Sequence, residues 1–162
     1  MIKAHGTAFL TDNVEVTVRD SKGIIIDQQT THNLITNSGR NVIRDVMAVP
    51  NSDTRGTLLN VYLAWGSGTT AAAAGDTALG SEASAGKKLI TESNTATNYE
   101  ILYKYYMSTL LGDGDTVAEV GLFLGNTTGD NTMLARAVLG SEIEKDTSKT
   151  ITFQWTLTIT AS

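Results

Sequence analysis

The last third of the chain alternates between polar and apolar residues over a long run. From Thr150 to Thr160, polar residues occupy every second position and apolar residues lie between them. Because successive side chains of a β-strand point to opposite faces, this period of two predicts a strand with one buried face. Two apolar runs precede it, Val117–Leu124 and Met133–Leu139, with turn residues between them. This region therefore favours a β fold.

A β-hairpin is predicted near the start of the chain. Val14, Val16 and Val18 alternate with polar residues, which indicates a half-buried strand. The turn residues Asp20–Gly23 follow, and Gly23 can supply the positive φ that a tight turn needs. The β-branched run Ile24–Asp27 then returns antiparallel to the first strand.

The period changes in the next segment, where apolar residues recur at helical spacing. This pattern predicts one helix from about Ser38 to Ala48, with its apolar stripe on the sheet. Thr36, Asn37 or Ser38 could cap its first turn. Pro50 closes the segment because proline cannot continue a helix.

Further strands are predicted at Leu58–Trp65, Leu89–Glu92 and Tyr99–Thr109. With the three C-terminal strands, they predict a mainly β domain, an antiparallel β-sandwich or jelly-roll-like fold with one short helix at about 38–48. We interpret residues 14–162 as this single domain and residues 1–13 as an N-terminal arm. Segments 125–131 and 140–148 are predicted to be turns.

Composition excludes several classes of protein. The 162 residues are 41% hydrophobic and 18% charged, which argues against disorder. A formal net charge of −5 without a basic stripe argues against nucleic-acid binding. The absence of cysteine excludes disulfides and thiolate metal sites. No apolar run approaches the roughly 20 residues of a membrane helix, and the first residues lack the order of a signal peptide.

A long stretch of small and polar residues, 66–86, is predicted to be a flexible loop and the main contact segment. Its start, Gly66-Ser67-Gly68, superficially resembles a phosphate-binding loop. The lysine that such a loop requires is missing, so we interpret it as a turn.

Candidate metal and catalytic groups are sparse. Asp113–Asp115 and Gly129–Asn131 could offer oxygen ligands to calcium, but turn geometry explains them as well. His5 and His32 are the two histidines, and neither has an identifiable partner. We therefore predict no catalytic residue, no metal ligand and no cofactor.

Two charged residues lie within apolar runs of neighbouring predicted strands. Glu119 and Arg136 could face each other as a partly buried structural ion pair. The functional alternative is a general acid or base with its modulator, which would need a second carboxylate nearby. The tyrosines of the strand Tyr99–Thr109 fit core packing or a contact surface.

Several of these segments together resemble small virion proteins of tailed bacteriophages. They are Val14–Gly23, Asn33–Asn41, Leu63–Thr70, Asp76–Glu82, and Glu119–Phe123 with Leu134–Ala137. The last pair is also similar to head regions of tail-collar fibre proteins. The resemblance implies a non-enzymatic particle component, assembled as a homotrimer and made in the cytoplasm of a host bacterium.

Within this family, a lone β domain with an arm fits a capsid decoration (cement) protein bound to the major capsid protein. The alternative is a tail-associated adaptor or receptor-binding module that contacts host glycans. A hydrolase of cell-wall sugars would need two carboxylates across a cleft, which the sequence does not indicate. The predicted contact residues are His5, Phe9, Leu10, Thr69, Thr70, Asp76, Leu79 and Glu82.

Overall fold

The computed structural model describes residues 8–48, 60–94, 100–125 and 132–161. These residues form ten strands and one helix. In chain order they are β1 (Ala8–Asp20), β2 (Ile25–His32), β3 (Leu34–Ile35), α1 (Asn37–Ala48), β4 (Val61–Gly66), β5 (Lys88–Leu89), β6 (Glu92–Asn94), β7 (Glu100–Met107), β8 (Thr116–Leu124), β9 (Thr132–Glu144) and β10 (Lys149–Ala161).

The strands form two antiparallel sheets of five strands each. Sheet I has the order β2-β1-β10-β7-β6, and sheet II the order β3-β9-β8-β4-β5. The mainly β, sandwich-like fold with one short helix is therefore confirmed. Within the described residues, no helix has the length and apolarity needed to cross a membrane.

The main core lies between the two sheets. Sheet I contributes the alternate residues of β1, β7 and β10, and sheet II contributes those of β4, β8 and β9. Trp65 of sheet II stacks against Tyr105 of sheet I, with ring centroids 6.3 Å apart. Tyr105 is buried, as core packing predicts, whereas its neighbour Tyr106 remains 52% exposed. One strand thus has tyrosines on both faces of the sheet.

The N-terminal hairpin has the predicted antiparallel pairing of β1 with β2. Asp20 organises its turn, because Oδ1 accepts hydrogen bonds from the backbone N–H groups of Lys22 and Ile24. Gly23 has a φ of 81°, the left-handed conformation expected for it. This hairpin is therefore confirmed.

Thr36 fixes the start of α1 against sheet II. Its Oγ1 accepts a hydrogen bond from the backbone N–H of Gly39 and donates one to the carbonyl of Met133. Thr36 is completely buried, and a Cβ at Gly39 would overlap the carbonyl of Leu134. The predicted helix is confirmed, with Thr36 as its cap.

We expect Thr36→Val to lower the free energy of unfolding by about 1–2 kcal/mol, because it removes the cap and leaves a buried carbonyl with one partner fewer. Thr30→Val is the matched control, since Thr30 is exposed on β2. Urea unfolding of both variants measures the difference. Equal stability of the two variants would contradict the role of Thr36.

Side chains of β2 bind the free edge of β9 beside them. Gln29 Oε1 accepts a hydrogen bond from the backbone N–H of Ser141, and Gln29 Nε2 donates to the Ser141 carbonyl. Thr31 Oγ1 donates to the carbonyl of Val138. These contacts join sheet I to sheet II along one side of the sandwich.

Three predicted boundaries need correction. The predicted strand Leu89–Glu92 is two short strands, β5 in sheet II and β6 in sheet I, because the chain crosses between the sheets at Ile90 and Thr91. The predicted arm, residues 1–13, is strand from Ala8 onward, because β10 extends to Ala161 and offers Ala8–Asn13 antiparallel partners. The predicted turn at 140–148 begins too early. Strand β9 continues to Glu144, since Gln29 binds Ser141 and Ile143 reaches the core.

Candidate functional site

The long loop between β4 and β5 lies on the outer face of sheet II. Its two ends approach each other, because Ser67 N–H donates to the Ser81 carbonyl and Ala83 N–H donates to the Trp65 carbonyl. Its middle contacts the start of α1 through a hydrogen bond of 2.7 Å from Asn37 N–H to the carbonyl of Ala74. The backbone of the segment predicted to be flexible is therefore attached at both its ends and its middle.

Glu119 lies under this loop, on β8, and is completely buried. Its Oε1 accepts hydrogen bonds from the backbone N–H groups of Gly68 at 3.0 Å and Ser81 at 2.8 Å. Its Oε2 accepts one from Gly80 N–H at 3.0 Å. One carboxylate thus binds both arms of the loop.

Arg136 of β9 completes the arrangement. Its Nε and Nη2 both lie 2.8 Å from Glu119 Oε2. Its Nη1 lies 2.8 Å from Asp76 Oδ2, and its Nη2 donates to the Thr70 carbonyl at 3.0 Å. Arg136 is 3% exposed. We call Glu119, Arg136 and Asp76 the clasp.

The sheet register explains why Glu119 and Arg136 meet. Glu119 pairs with Val138, and Arg136 pairs with Gly121, in the antiparallel ladder of β8 and β9. The two charged residues are therefore diagonal neighbours on the same face, close enough for long side chains to touch. The ion pair proposed from the sequence is present in the structure.

The charges of the clasp support one another. Burial alone would lower the pKa of Arg136, but hydrogen bonds and charges from Asp76 and Glu119 outweigh it and raise the pKa. The pKa of Asp76 is lowered, chiefly by the hydrogen bond from Ala73 N–H and further by Arg136. Both residues are therefore held in their charged forms.

Two glycines at the start of the loop allow it to reach the clasp. A Cβ at Gly68 would overlap the carboxylate of Glu119, and a Cβ at Gly66 would overlap the carbonyl of Ser81. The sequence Gly66-Ser67-Gly68 is thus explained by close approach to a carboxylate and a neighbouring backbone. The sequence alone predicts only a turn at these residues.

An apolar contact also holds the loop. Leu79 is 7% exposed and packs in a second cluster with Ala64, Phe123 and Met133 on the outer face of sheet II. Beside it, Lys87 Nζ lies 4.4 Å above the centre of the Phe123 ring. Sheet II is therefore covered on both faces, by sheet I on one side and by the loop on the other.

The predicted contact residues separate into three groups. Thr69, Thr70 and Glu82 are exposed on the loop. Asp76 and Leu79 do not fit a contact role, because Asp76 binds Arg136 and Leu79 is buried.

The remaining three predicted contact residues lie in or before the first strand. His5 is outside the described residues. The backbone of Phe9 and Leu10 belongs to β1 and pairs with β10.

Of the two turns that could offer oxygen ligands to calcium, the one at 113–115 lies in the described part of the chain and makes hydrogen bonds within the protein. Asp115 Oδ2 accepts a hydrogen bond from Trp65 Nε1 at 2.8 Å, and Gly114 N–H donates to the carbonyl of Lys145. Across the described residues, no group of three or more His, Asp or Glu side chains is placed to hold a metal ion. Residues 129–131 lie outside the described part of the chain.

Lys145 is a buried cation that the sequence does not predict, and it is 2% exposed. Its Nζ donates to the carbonyls of Thr109 and Asp146 at 2.9 and 2.8 Å. Burial lowers its pKa, and nearby carboxylates oppose this shift. Lys145 follows the exposed Glu144 at the end of β9 and precedes the partly exposed Asp146, so no pattern in the sequence indicates its burial.

The polar atoms of Glu119 and Arg136 in the clasp are occupied by hydrogen bonds within the protein. Both carboxylate oxygens of Glu119 accept several hydrogen bonds, and all three nitrogens of the Arg136 guanidinium group donate. Because these groups already have hydrogen-bond partners, the network positions the loop on sheet II. Comparison of the chain with protein-family models, curated proteins and solved structures finds no match.

Proposed function

We propose that this chain is a non-enzymatic structural protein of a tailed-phage particle, a capsid decoration protein that binds the outer lattice and stabilises it. The clasp is the observation that carries this proposal. Glu119 and Arg136 make their hydrogen bonds to the loop at 67–86 and so hold its backbone in one conformation. A loop ordered in advance loses little conformational entropy on binding, which favours a binding surface.

The exposed side of the loop carries short side chains, which another protein surface can approach closely. It presents short polar and small side chains without a cluster of like charge, and these are Ser67, Thr69, Thr70, Ala71, Thr77 and Ala78. Such side chains lose little rotamer freedom when they are covered. The sequence resemblance to phage virion proteins supplies the partner class, the major capsid protein. A ligand that binds only the assembled lattice stabilises that lattice by mass action.

Immunogold labelling of the phage particle that carries this protein tests the location. We expect gold over the head. Gold confined to the tail tip or collar would overturn the decoration proposal in favour of the tail-associated receptor-binding alternative. A glycan array then tests that alternative, because a decoration protein should bind no glycan. Particles without gold would overturn both.

The same proposal predicts which surface binds. Thr69→Lys combined with Thr77→Lys should weaken co-sedimentation with particles that lack the protein by about tenfold, since bulky charges enter a packed contact. Thr30→Lys together with Thr147→Lys is the matched control, because both threonines are exposed away from the loop. Equal losses in the two variants would contradict a role for the loop.

A further inference from the structure

Two strands of sheet I extend beyond their neighbours. β1 and β10 pair without a register shift from Ala8↔Ala161 to Asp20↔Lys149. On its other side, β1 pairs with β2 only from Asn13 to Arg19. Among the described residues, Ala8–Asp12 therefore have a strand partner on one side only. We call the unpaired side of Ala8–Asp12 the open edge.

The backbone groups that face the open edge follow from the hairpin. Asp20 donates its N–H to the Ile24 carbonyl and accepts at its carbonyl from Gly23 N–H, so both its groups face the β2 side. Backbone groups of a strand alternate between its two neighbours. Counting back along the unbroken β1 ladder, Ala8, Leu10 and Asp12 direct their N–H and C=O groups to the open edge.

The open edge differs from the other edges of the described sheets. The side chains of Gln29 and Thr31 join β2 to β9. β5 has two residues and β6 has three. Charges and prolines commonly prevent strand pairing at an edge. Ala8–Asp12 contains no proline and a single charge, that of Asp12 at its end. The open edge therefore has the length and composition of a strand that pairs.

We propose that two copies of this chain pair antiparallel along their open edges, about a two-fold axis at Leu10. In this register, Leu10 of one copy lies opposite Leu10 of the other, and Ala8 lies opposite Asp12. Three facing residue pairs would exchange about six hydrogen bonds. No two Asp12 residues would face each other, so like charges are kept apart.

The length of the open edge fits this arrangement. His32, the last residue of β2, lies opposite Asn13, so the edge begins one residue beyond it. In the two-fold pair, Ala8–Asp12 of one copy would pair with Ala8–Asp12 of the other. The β2 strand of each copy would lie at one end of this paired segment. The surface is self-complementary, as a two-fold contact must be. The inference concerns the isolated protein and does not depend on the proposed virion role. It differs from the homotrimer that the sequence resemblance implies.

Light scattering coupled to size-exclusion chromatography of the full chain tests the mass, which should be that of a dimer. Leu10→Pro should raise the dimer dissociation constant about tenfold or more, because it removes the central N–H donor from both copies. The donors of Phe9 and Thr11, which face β10, remain, and circular dichroism checks that the fold is kept. A monomer, a trimer, or a dimer that Leu10→Pro leaves unchanged would each overturn the proposal.

A charge exchange tests the register itself. Leu10→Lys alone and Leu10→Glu alone should each dissociate more readily than the original chain, because like charges then face each other across the axis. A mixture of the two variants should recover the dimer as a mixed pair. Failure of the mixture to recover while both single variants remain folded would overturn the two-fold register.

Discussion

Arg136→Met is expected to lower the free energy of unfolding by about 3–5 kcal/mol, because it leaves the Glu119 carboxylate buried without its cation. The substitution keeps much of the apolar volume of the arginine stem, so the loss reports mainly on charge and hydrogen bonding. Asp76 and the Thr70 carbonyl lose the same donor group. Urea unfolding with linear extrapolation measures the effect.

Lys149→Met is the matched control for this prediction. Lys149 also forms an ion pair, 2.9 Å from Asp146, but the two side chains are 24% and 50% exposed, against 3% and 0% for Arg136 and Glu119. Removing an exposed pair should change stability by less than about 1 kcal/mol. If Arg136→Met proved no more destabilising than Lys149→Met, the clasp could not be what holds the loop on sheet II.

The second large effect is expected from Gly68→Ala, which should lower the free energy of unfolding by about 2–3 kcal/mol. A Cβ at this position would lie 2.7 Å from Glu119 Cδ, too close for any real contact. The carboxylate has little room to retreat, because Arg136, Gly80 and Ser81 hold it from other directions. The loop must therefore move away and lose hydrogen bonds.

Gly75→Ala gives the matched control in the same loop. A Cβ at Gly75 would meet no atom within 4 Å, and its backbone is not in the left-handed region. We expect a change within about 1 kcal/mol, in the stabilising direction, because alanine restricts the unfolded chain. Thermal or urea unfolding of both variants separates steric overlap from loss of flexibility. If both variants lost similar free energy of unfolding, steric overlap with Glu119 could not be the reason for the effect of Gly68→Ala.

Periodicity predicted most of the fold because it reports directly on buried faces. The valines of β1, the run from Thr150 and the helix near Ser38 each have one clear period, and all are found in the structure. The start of β1 was missed because Ala8–Asn13 has no clean alternation. Its strand structure comes from pairing with the distant β10, which no local pattern reports.

The candidate site was predictable only in part, for a similar reason. Glu119 and Arg136 stand out as charges inside apolar strands, and adjacent strands can bring them together. Their other partners are backbone N–H and C=O groups of the loop, which every residue type provides and no sequence pattern marks. Leu79 was misplaced because one apolar residue among small polar ones gives no period.

The chain crosses between the sheets on both sides of the sandwich. On one side β2 leads to β3, with Gln29 bound to Ser141, and on the other Ile90 and Thr91 hydrogen-bond to sheets II and I in turn. The two sheets are thus bridged along both sides of the sandwich, and Ala8–Asp12 is a stretch of strand edge that stays unpaired in the described part of the chain. Pairing at the open edge would use up the remaining edge of β1. Association would then stop at a closed dimer and would not continue into a fibre.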